Sequence, residues 1–364
     1  MSKSLLFIPD ISGYTKFIQT TEIEHSQHVI SELLEVLVNA NTSGLKLAEI
    51  EGDALFFYKE NDIPSQENLL AQIVSMFTAF YSHLKMLEKN RICPCNACAT
   101  APNLELKIIA HSGHLQHIEV QGTRKPFGEQ VIEAHRLLKN SVDSDNYALI
   151  SRKLALDIQL SPYYSSKIFR FRQGSDSYDD KEVEYIYSLI DPNELKLQSF
   201  VQPKTYHFDT KPQLTISQEF PISAEELMEQ ITNYSLRPYW QKGVDDLKYS
   251  ENEVTRIGSE HTCVINGKHL DFVTISKENE VNNLTYGELT HSHPLFDDFY
   301  QFYTFVPKGE GHSEAIVEFY WSSKSPLKKL VGALIGKNAV KKNSEKGLVS
   351  LLEYIESKNA SLEA

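Results

Sequence analysis

The sequence predicts an α+β protein built from two domains. Three observations carry that expectation. The chain has 364 residues, whereas a domain usually runs to ~100–200. Hydrophobic residues make up 41% and charged residues 23%, enough apolar material for a core in each half. Between Asp191 and Pro212, three prolines (Pro192, Pro203 and Pro212) interrupt helix and strand patterns alike, as a linker does. Domains are therefore expected at 1–190 and 213–358, with 191–212 between them.

In the first half, apolar and turn patterns alternate. Leu5–Asp10 reads as a strand that a glycine turn leads into a helix. Across Ser26–Asn39, Val29, Ile30, Leu33, Leu34, Leu37 and Val38 recur at the 3/4 spacing of a helix face. Lys46–Ile50 and Ala54–Lys59 flank the tight turn Glu51-Gly-Asp53, a hairpin. Asn68–Lys89 is helical in period, Leu104–Ala110 a strand, and Glu129–Asn140 a helix. Tyr147–Ser151, Ile168–Gln173 and Val183–Ile190 complete the first half as strands. After the linker the order changes. A strand at Gln213–Phe220 precedes a helix started by Ser223, with Glu225 and Glu226 in its first turn as helix caps prefer. Strands follow at His261–Ile265, His269–Ser276, Asn283–Leu289, Asp298–Val306 and Ser313–Trp321, and a long helix spans about Pro326 to Lys358.

Composition narrows the function classes. The net charge of −13 repels phosphate backbones, so nucleic acid is not an expected partner. Lys328, Lys329, Lys337, Lys341 and Lys342 read as a solvated helix face. No run of ~18 apolar residues occurs, so no membrane span is expected. The apolar run Leu5–Ile8 is too short for a secretion signal. Four cysteines in a chain of this length do not make a disulfide framework, and a cytoplasmic location is expected.

The first half carries two aspartates in suggestive places. Phe7-Ile-Pro-Asp-Ile-Ser-Gly-Tyr-Thr15 ends a strand with Asp10, and Glu49-Ile-Glu-Gly-Asp-Ala-Leu55 puts Asp53 at a hairpin tip. Such a pair offers hard oxygen ligands to Mg²⁺ or Mn²⁺, which complete their shell with water and substrate phosphate. Taken singly, each aspartate also reads as a turn residue. Two more segments, Ile108-Ile-Ala-His-Ser-Gly113 and Phe127-Gly-Glu-Gln-Val-Ile-Glu-Ala-His-Arg-Leu137, follow in order.

Together these four segments resemble the class III nucleotidyl cyclases, the family of adenylyl and guanylyl cyclase catalytic domains. The resemblance implies a ferredoxin-like cyclase-homology domain over about residues 4–190, assembled as a homodimer. It places Asp10 and Asp53 at the two metal ions and Arg136 as the catalytic arginine that stabilises charge on phosphorus. Glu49 and Lys125 fall at the two purine-selecting positions. The chain also departs from the family pattern. Ile132 stands where a catalytic asparagine belongs, and losing one such contact costs ~10²–10³ in rate. Lys125 replaces a small or acidic residue and is expected to pair with Glu49 of the partner subunit. The stretch Asp176–Lys181 is acidic where the family binds triphosphate with a lysine.

Arg91-Ile-Cys-Pro-Cys-Asn-Ala-Cys98 packs Cys93, Cys95 and Cys98 into six residues. Their spacing suits tetrahedral Zn²⁺ if a fourth ligand is supplied, by His111, His114, His117 or a partner chain. Free thiols in an insertion loop are the other reading. In the second half, Phe302, Thr304 and Val306 alternate with Tyr303 and Phe305, the two-faced period of a sheet. Leu327–Ile335 and Leu348–Ile355 give the last helix an apolar stripe. This order resembles the START/SRPBCC families, whose helix-grip antiparallel sheet and long C-terminal helix often enclose a small hydrophobic ligand. Glu288, His291 and Tyr303 are the pocket candidates; His291 with His293 otherwise reads as a strand-end turn.

The expected function is metal and nucleotide binding with little or no cyclase turnover, in a chain that also binds a hydrophobic ligand. Two alternatives stand beside it. One is an active guanylyl or adenylyl cyclase using Asp10, Asp53 and Arg136. The other is a non-enzymatic dimeric carrier of a small apolar ligand.

Overall fold

Strand β1, Ser4–Ser12, opens the chain in the computed structural model, which describes residues 2–179, 181–200, 204–265, 267–277 and 283–362. Gly13, with φ +87°, turns it into α1, Tyr14–Thr20, and α2, Ile23–Asn39, follows. Strands β2, Lys46–Glu51, and β3, Ala54–Lys59, form the expected hairpin around Gly52, whose φ of +68° glycine adopts without strain. Helix α3, Gln66–Asn90, and the short α4, Asn96–Thr100, lead to β4, Glu105–Gly113. A hairpin not foreseen, β5 (Gln116–Val120) and β6 (Thr123–Phe127), precedes α5, Glu129–Arg136. Then come β7, Tyr147–Ser151, α6, Arg152–Asp157, β8, Arg172–Tyr178, and β9, Lys181–Leu189. The strand expected at Ile168–Gln173 starts only at Arg172. Phe169 and Phe171 stack at 5.5 Å and are buried from the turn before it.

Seven of these strands form one sheet in the order β2-β3-β1-β4-β7-β9-β8, with only the β4–β7 pair parallel. Through β4 the connectivity is the β-α-β-β-α-β path of a ferredoxin-like unit. Central β1 is buried almost throughout. Leu6 and Ile8 on one of its faces pack with Ala54, Phe56, Ala134, Leu137 and Tyr147. A near-continuous apolar strand is what burial on both faces demands.

The second half begins with β10, Thr205–Tyr206, and β11, Leu214–Phe220. Helix α7, Ala224–Thr232, starts at the expected Ser223, whose side chain accepts from Glu226 N while the Glu226 carboxylate accepts from Ser223 N, a full capping box. Helix α8, Arg237–Trp240, and strand β12, Asp246–Tyr249, follow. An antiparallel meander then runs through β13 (Glu260–Ile265), β14 (Lys268–Lys277), β15 (Leu284–Thr290), β16 (Asp298–Gly309) and β17 (His312–Ser322). The path β11-β17-β16-β15-β14-β13-β12 pairs the first long strand with the last, and β10 joins β14 in parallel. Helix α9, Pro326–Val331, passes through a π-helical turn, Gly332–Gly336, into α10, Lys337–Leu362. Leu348, Leu351 and Ile355 join the core, but Leu330 and Ile335 are 58% and 62% exposed. The wider π turn breaks the stripe that a continuous α-helix would have kept on one face.

Backbone packing groups the chain as Met1–Met86 with Thr100–Phe200, and Leu87–Ala99 with Val201–Ala364. Asp180 of the acidic stretch and 201–203 of the expected linker lie outside the described residues. Among the described residues no helix is long and apolar enough to cross a membrane. The mixed α+β organisation read from the sequence is present.

Candidate functional site

Asp10 lies at the end of the buried face of β1, in register with Ala54 on β3 and Lys107 on β4. Directly opposed residues of antiparallel strands share a face, so Lys107 is a cross-strand neighbour. Its Nζ stands 3.5 Å from Asp10 Oδ1. Asp53 is drawn to the same strand end, where its carbonyl accepts from Ile11 N at 3.1 Å. Burial pushes the Asp10 carboxyl up to about 6; the charges of Asp53 and Asp145 push the same way, and Lys107 opposes them. Burial also raises Asp53. The sequence reading identified Asp10 and Asp53 but missed Lys107 and Asp145, which only strand pairing and the turn before β7 bring near. Two carboxylates and no sulfur suit a hard divalent ion, with Lys107 as the monovalent counter-charge.

The other expected site residues fall into ion pairs. Gly128, at φ +111°, starts α5, which ends at Arg136. The Arg136 guanidinium donates to Asp179 in the turn between β8 and β9. Lys181, just beyond, reaches Glu129 at 2.7 Å. The acidic stretch therefore closes onto α5. Lys125 Nζ donates to Glu49 Oε1 at 3.0 Å within one chain. The pairing expected from a partner subunit is thus made internally, because the β5–β6 hairpin carries Lys125 to β2 of the same sheet unit. Ile132 is 53% exposed on the first turns of α5.

The three cysteines expected to bind zinc gather. The sulfurs of Cys93, Cys95 and Cys98 all lie within 4.8 Å of one another, in a group that could hold a metal ion. None of the cysteines forms a disulfide. The histidines expected to complete the set are engaged elsewhere. His111 Nδ1 and Nε2 stand 2.9 Å from Ser151 Oγ and 3.0 Å from Gln130 Oε1. His114 Nδ1 lies 3.2 Å from the Ser2 carbonyl, and His117 Nδ1 is 3.1 Å from Arg124. They sit near the cysteines in sequence, but β4 and the hairpin after it direct them to other partners.

In the second unit Glu288 is buried and accepts from Arg237 at 2.5 Å and from Tyr286 at 2.6 Å. Arg237 also donates to the Tyr286 hydroxyl at 2.9 Å and the Ile231 carbonyl at 3.0 Å. Burial pushes neighbouring His261 down to about 4. Tyr303 is also near this group, and burial raises its hydroxyl. His291 does not join them. It is exposed and pairs with Asp298 at 2.8 Å. Arg237 was missed, because spacing along the chain does not show that this buried arginine reaches Glu288 across 51 residues.

The family described as "Protein of unknown function (DUF2652)" matches residues 30–147. Uncharacterized protein Rv2561/Rv2562 of Mycobacterium tuberculosis is 31% identical over 126 residues, covering 35% of this chain and 58% of its own length. Solved class III cyclase domains are similar to about half of the chain at low identity. The catalytic core of a rhodopsin-guanylyl cyclase with converted specificity, in complex with ATPalphaS, aligns with TM-score 0.39 and 16% identity over 52% of this chain and 96% of that one. The adenylyl cyclase CyaB from P. aeruginosa gives 0.36 and 18% over 52% and 94%. A non-canonical dimeric guanylyl cyclase domain from the aquatic fungus Blastocladiella emersonii gives 0.37 and 16% over 52% and 97%.

Proposed function

We propose that the N-terminal unit binds a purine nucleoside triphosphate with Mg²⁺ or Mn²⁺ at Asp10 and Asp53, with little or no cyclase turnover. The observation that carries this reading is the convergence of the two carboxylates at one strand end, where burial raises both and the charge of Asp53 raises Asp10 further. Carboxylates so placed favour an added cation, which a bound divalent ion supplies while it holds phosphate oxygens. Slow turnover follows from the neighbours. Arg136 is tied to Asp179, Glu49 is tied to Lys125, and Ile132 has no polar group to offer. A homodimer belongs to the same proposal. Ile50 on edge strand β2, Val120 on β5 and Ile132 on α5 are exposed apolar residues that a second copy would cover.

Calorimetric titration with ATP and GTP in Mn²⁺, with assay for cyclic product in the same samples, tests the reading. Binding without product that is lost in Asp10→Ala/Asp53→Ala is the expected result. Product that is lost in the same variant favours a working cyclase with Arg136. No binding of either nucleotide removes the proposal. A second reading concerns the C-terminal unit, where α7 and α10 pack on an antiparallel sheet whose first and last strands pair. That order favours the helix-grip carrier, with Glu288 and Tyr303 at its polar centre. Mass spectrometry of organic extracts from purified protein tests it, and extracts free of any stoichiometric apolar compound remove it.

A further inference from the structure

We infer that α9, the π-helical turn after it and the start of α10 dock on the surface of an anionic lipid bilayer. The basic charge is local. Seven lysines and one glutamate lie between Lys324 and Lys346, in a chain that carries 49 acidic residues against 36 lysines and arginines. At physiological salt a charge acts over ~8 Å, so a partner at this stretch meets its lysines and not the charge of the whole chain. Lys329, Lys337, Lys341 and Lys342 are exposed. Lys328 is held by Asp297 at 2.6 Å, and Lys341 stands 3.7 Å from Glu345. Among the described residues, Lys329, Lys337 and Lys342 have no acidic group at ion-pair distance.

Spacing alone makes these lysines a solvated face, but the apolar residues exposed between them do not fit that reading. Leu330 and Ile335 are 58% and 62% exposed. Gly332 and Gly336 are buried against Phe296, so the π turn lays its glycines on the core and leaves Leu330 and Ile335 to solvent. Lys328 and Lys329 precede this apolar pair, and Lys337, Lys341 and Lys342 follow it, over ~20 Å of helix. A helix lying in a bilayer interface has this pattern, with aliphatic side chains below the head groups and lysines reaching lipid phosphates on either side. Composition separates a bilayer from other anionic partners. No arginine and no aromatic residue lies between Lys324 and Lys346. Base readout relies on arginine forks, and protein interfaces are anchored by tyrosine, tryptophan and arginine and depleted in lysine. Each lysine near an anionic leaflet strengthens binding about fivefold. The aliphatic pair adds hydrocarbon contact that salt does not screen. Neither the proposed nucleotide site nor a carried ligand is required.

The test is flotation of the full chain, without an affinity tag, on phosphatidylcholine vesicles with or without phosphatidylserine at about one lipid in three. Wild type is expected to float with the phosphatidylserine vesicles at about 0.1 M NaCl, to be largely released at about 0.5 M, and to leave pure phosphatidylcholine alone. Lys337→Glu/Lys341→Glu/Lys342→Glu should weaken binding at least about a hundredfold, since three fivefold contributions are lost and replaced by repulsion. Leu330→Ser/Ile335→Ser should weaken it as well, although no charge changes. Lys211→Glu/Lys248→Glu, exposed lysines elsewhere in the same unit, should bind like wild type and so separate the patch from net charge. Asp10→Ala/Asp53→Ala should also float normally, whatever becomes of nucleotide binding. Wild-type protein that stays unbound at the lower salt overturns the inference, whether or not the variants fold. Binding that both patch variants retain in full overturns it too. So does binding of duplex DNA that the lysine variant loses and the Leu330→Ser/Ile335→Ser variant keeps, which would make the patch a phosphate-backbone surface.

Discussion

Asp10 sets the pH response expected of the N-terminal unit. Its carboxyl ordinarily titrates near 3.8 and is pushed up to about 6 in the fold. The folded state therefore favours the protonated form. The stabilisation this gives is complete below about pH 4 and is lost as pH rises through 6. Asp10→Asn removes a buried charge at pH 7.5, and in EDTA it is expected to raise stability by about 1–3 kcal/mol, at ~1.4 kcal/mol per pKa unit. Thermal unfolding from pH 4.5 to 8 checks this, and a variant no more stable than wild type at pH 7.5 refutes it. Mn²⁺ should reverse the ranking by stabilising only the wild type. The buried pair Arg237–Glu288 behaves oppositely, since each charge depends on the other. Arg237→Met alone is expected to cost about 3–5 kcal/mol, and Arg237→Met/Glu288→Leu distinctly less. Urea unfolding of both variants measures the difference.

At the level of elements, the π-helical turn is the most sensitive joint in the C-terminal unit. A Cβ on Gly336 or Gly332 would stand 2.8 Å from the ring of Phe296. That ring is itself fixed by stacking on Trp321 at 4.9 Å and His293 at 4.8 Å. Gly336→Ala is expected to destabilise by about 1–3 kcal/mol, although an exposed helical alanine would ordinarily stabilise. A chevron or urea curve decides it, and a neutral result means Phe296 can yield. This joint shows where sequence reading stops. The long helices α2 and α3 and the strands β1, β3 and β13 to β17 were legible because each presents a regular face to a core. The β5–β6 hairpin was not, since most of its side chains face solvent and Pro126 interrupts its pattern. Likewise Asp10 and Asp53 could be read from local motifs. Lys107 could not, because strand register, rather than spacing along the chain, brings it to its site.

At the scale of the whole molecule, the exposed apolar residues of the N-terminal unit make self-association the measurable expectation. Sedimentation of wild type should give two chains per particle, and Ile50→Glu/Val120→Glu should shift it to one. A wild type that sediments as a single chain at micromolar concentration refutes the homodimer. The sheet order has another consequence, for biogenesis. Strand β1 leaves the ribosome before its neighbours β3 and β4, which end only at Lys59 and Gly113. Strand β11 waits longer still, for β17 at His312–Ser322. During vectorial synthesis, each sheet therefore exposes an apolar strand before its partners have emerged. The nascent chain is a natural client for chaperones that bind such strands, and ribosomes stalled before residue 312 should hold the C-terminal unit in a protease-sensitive state.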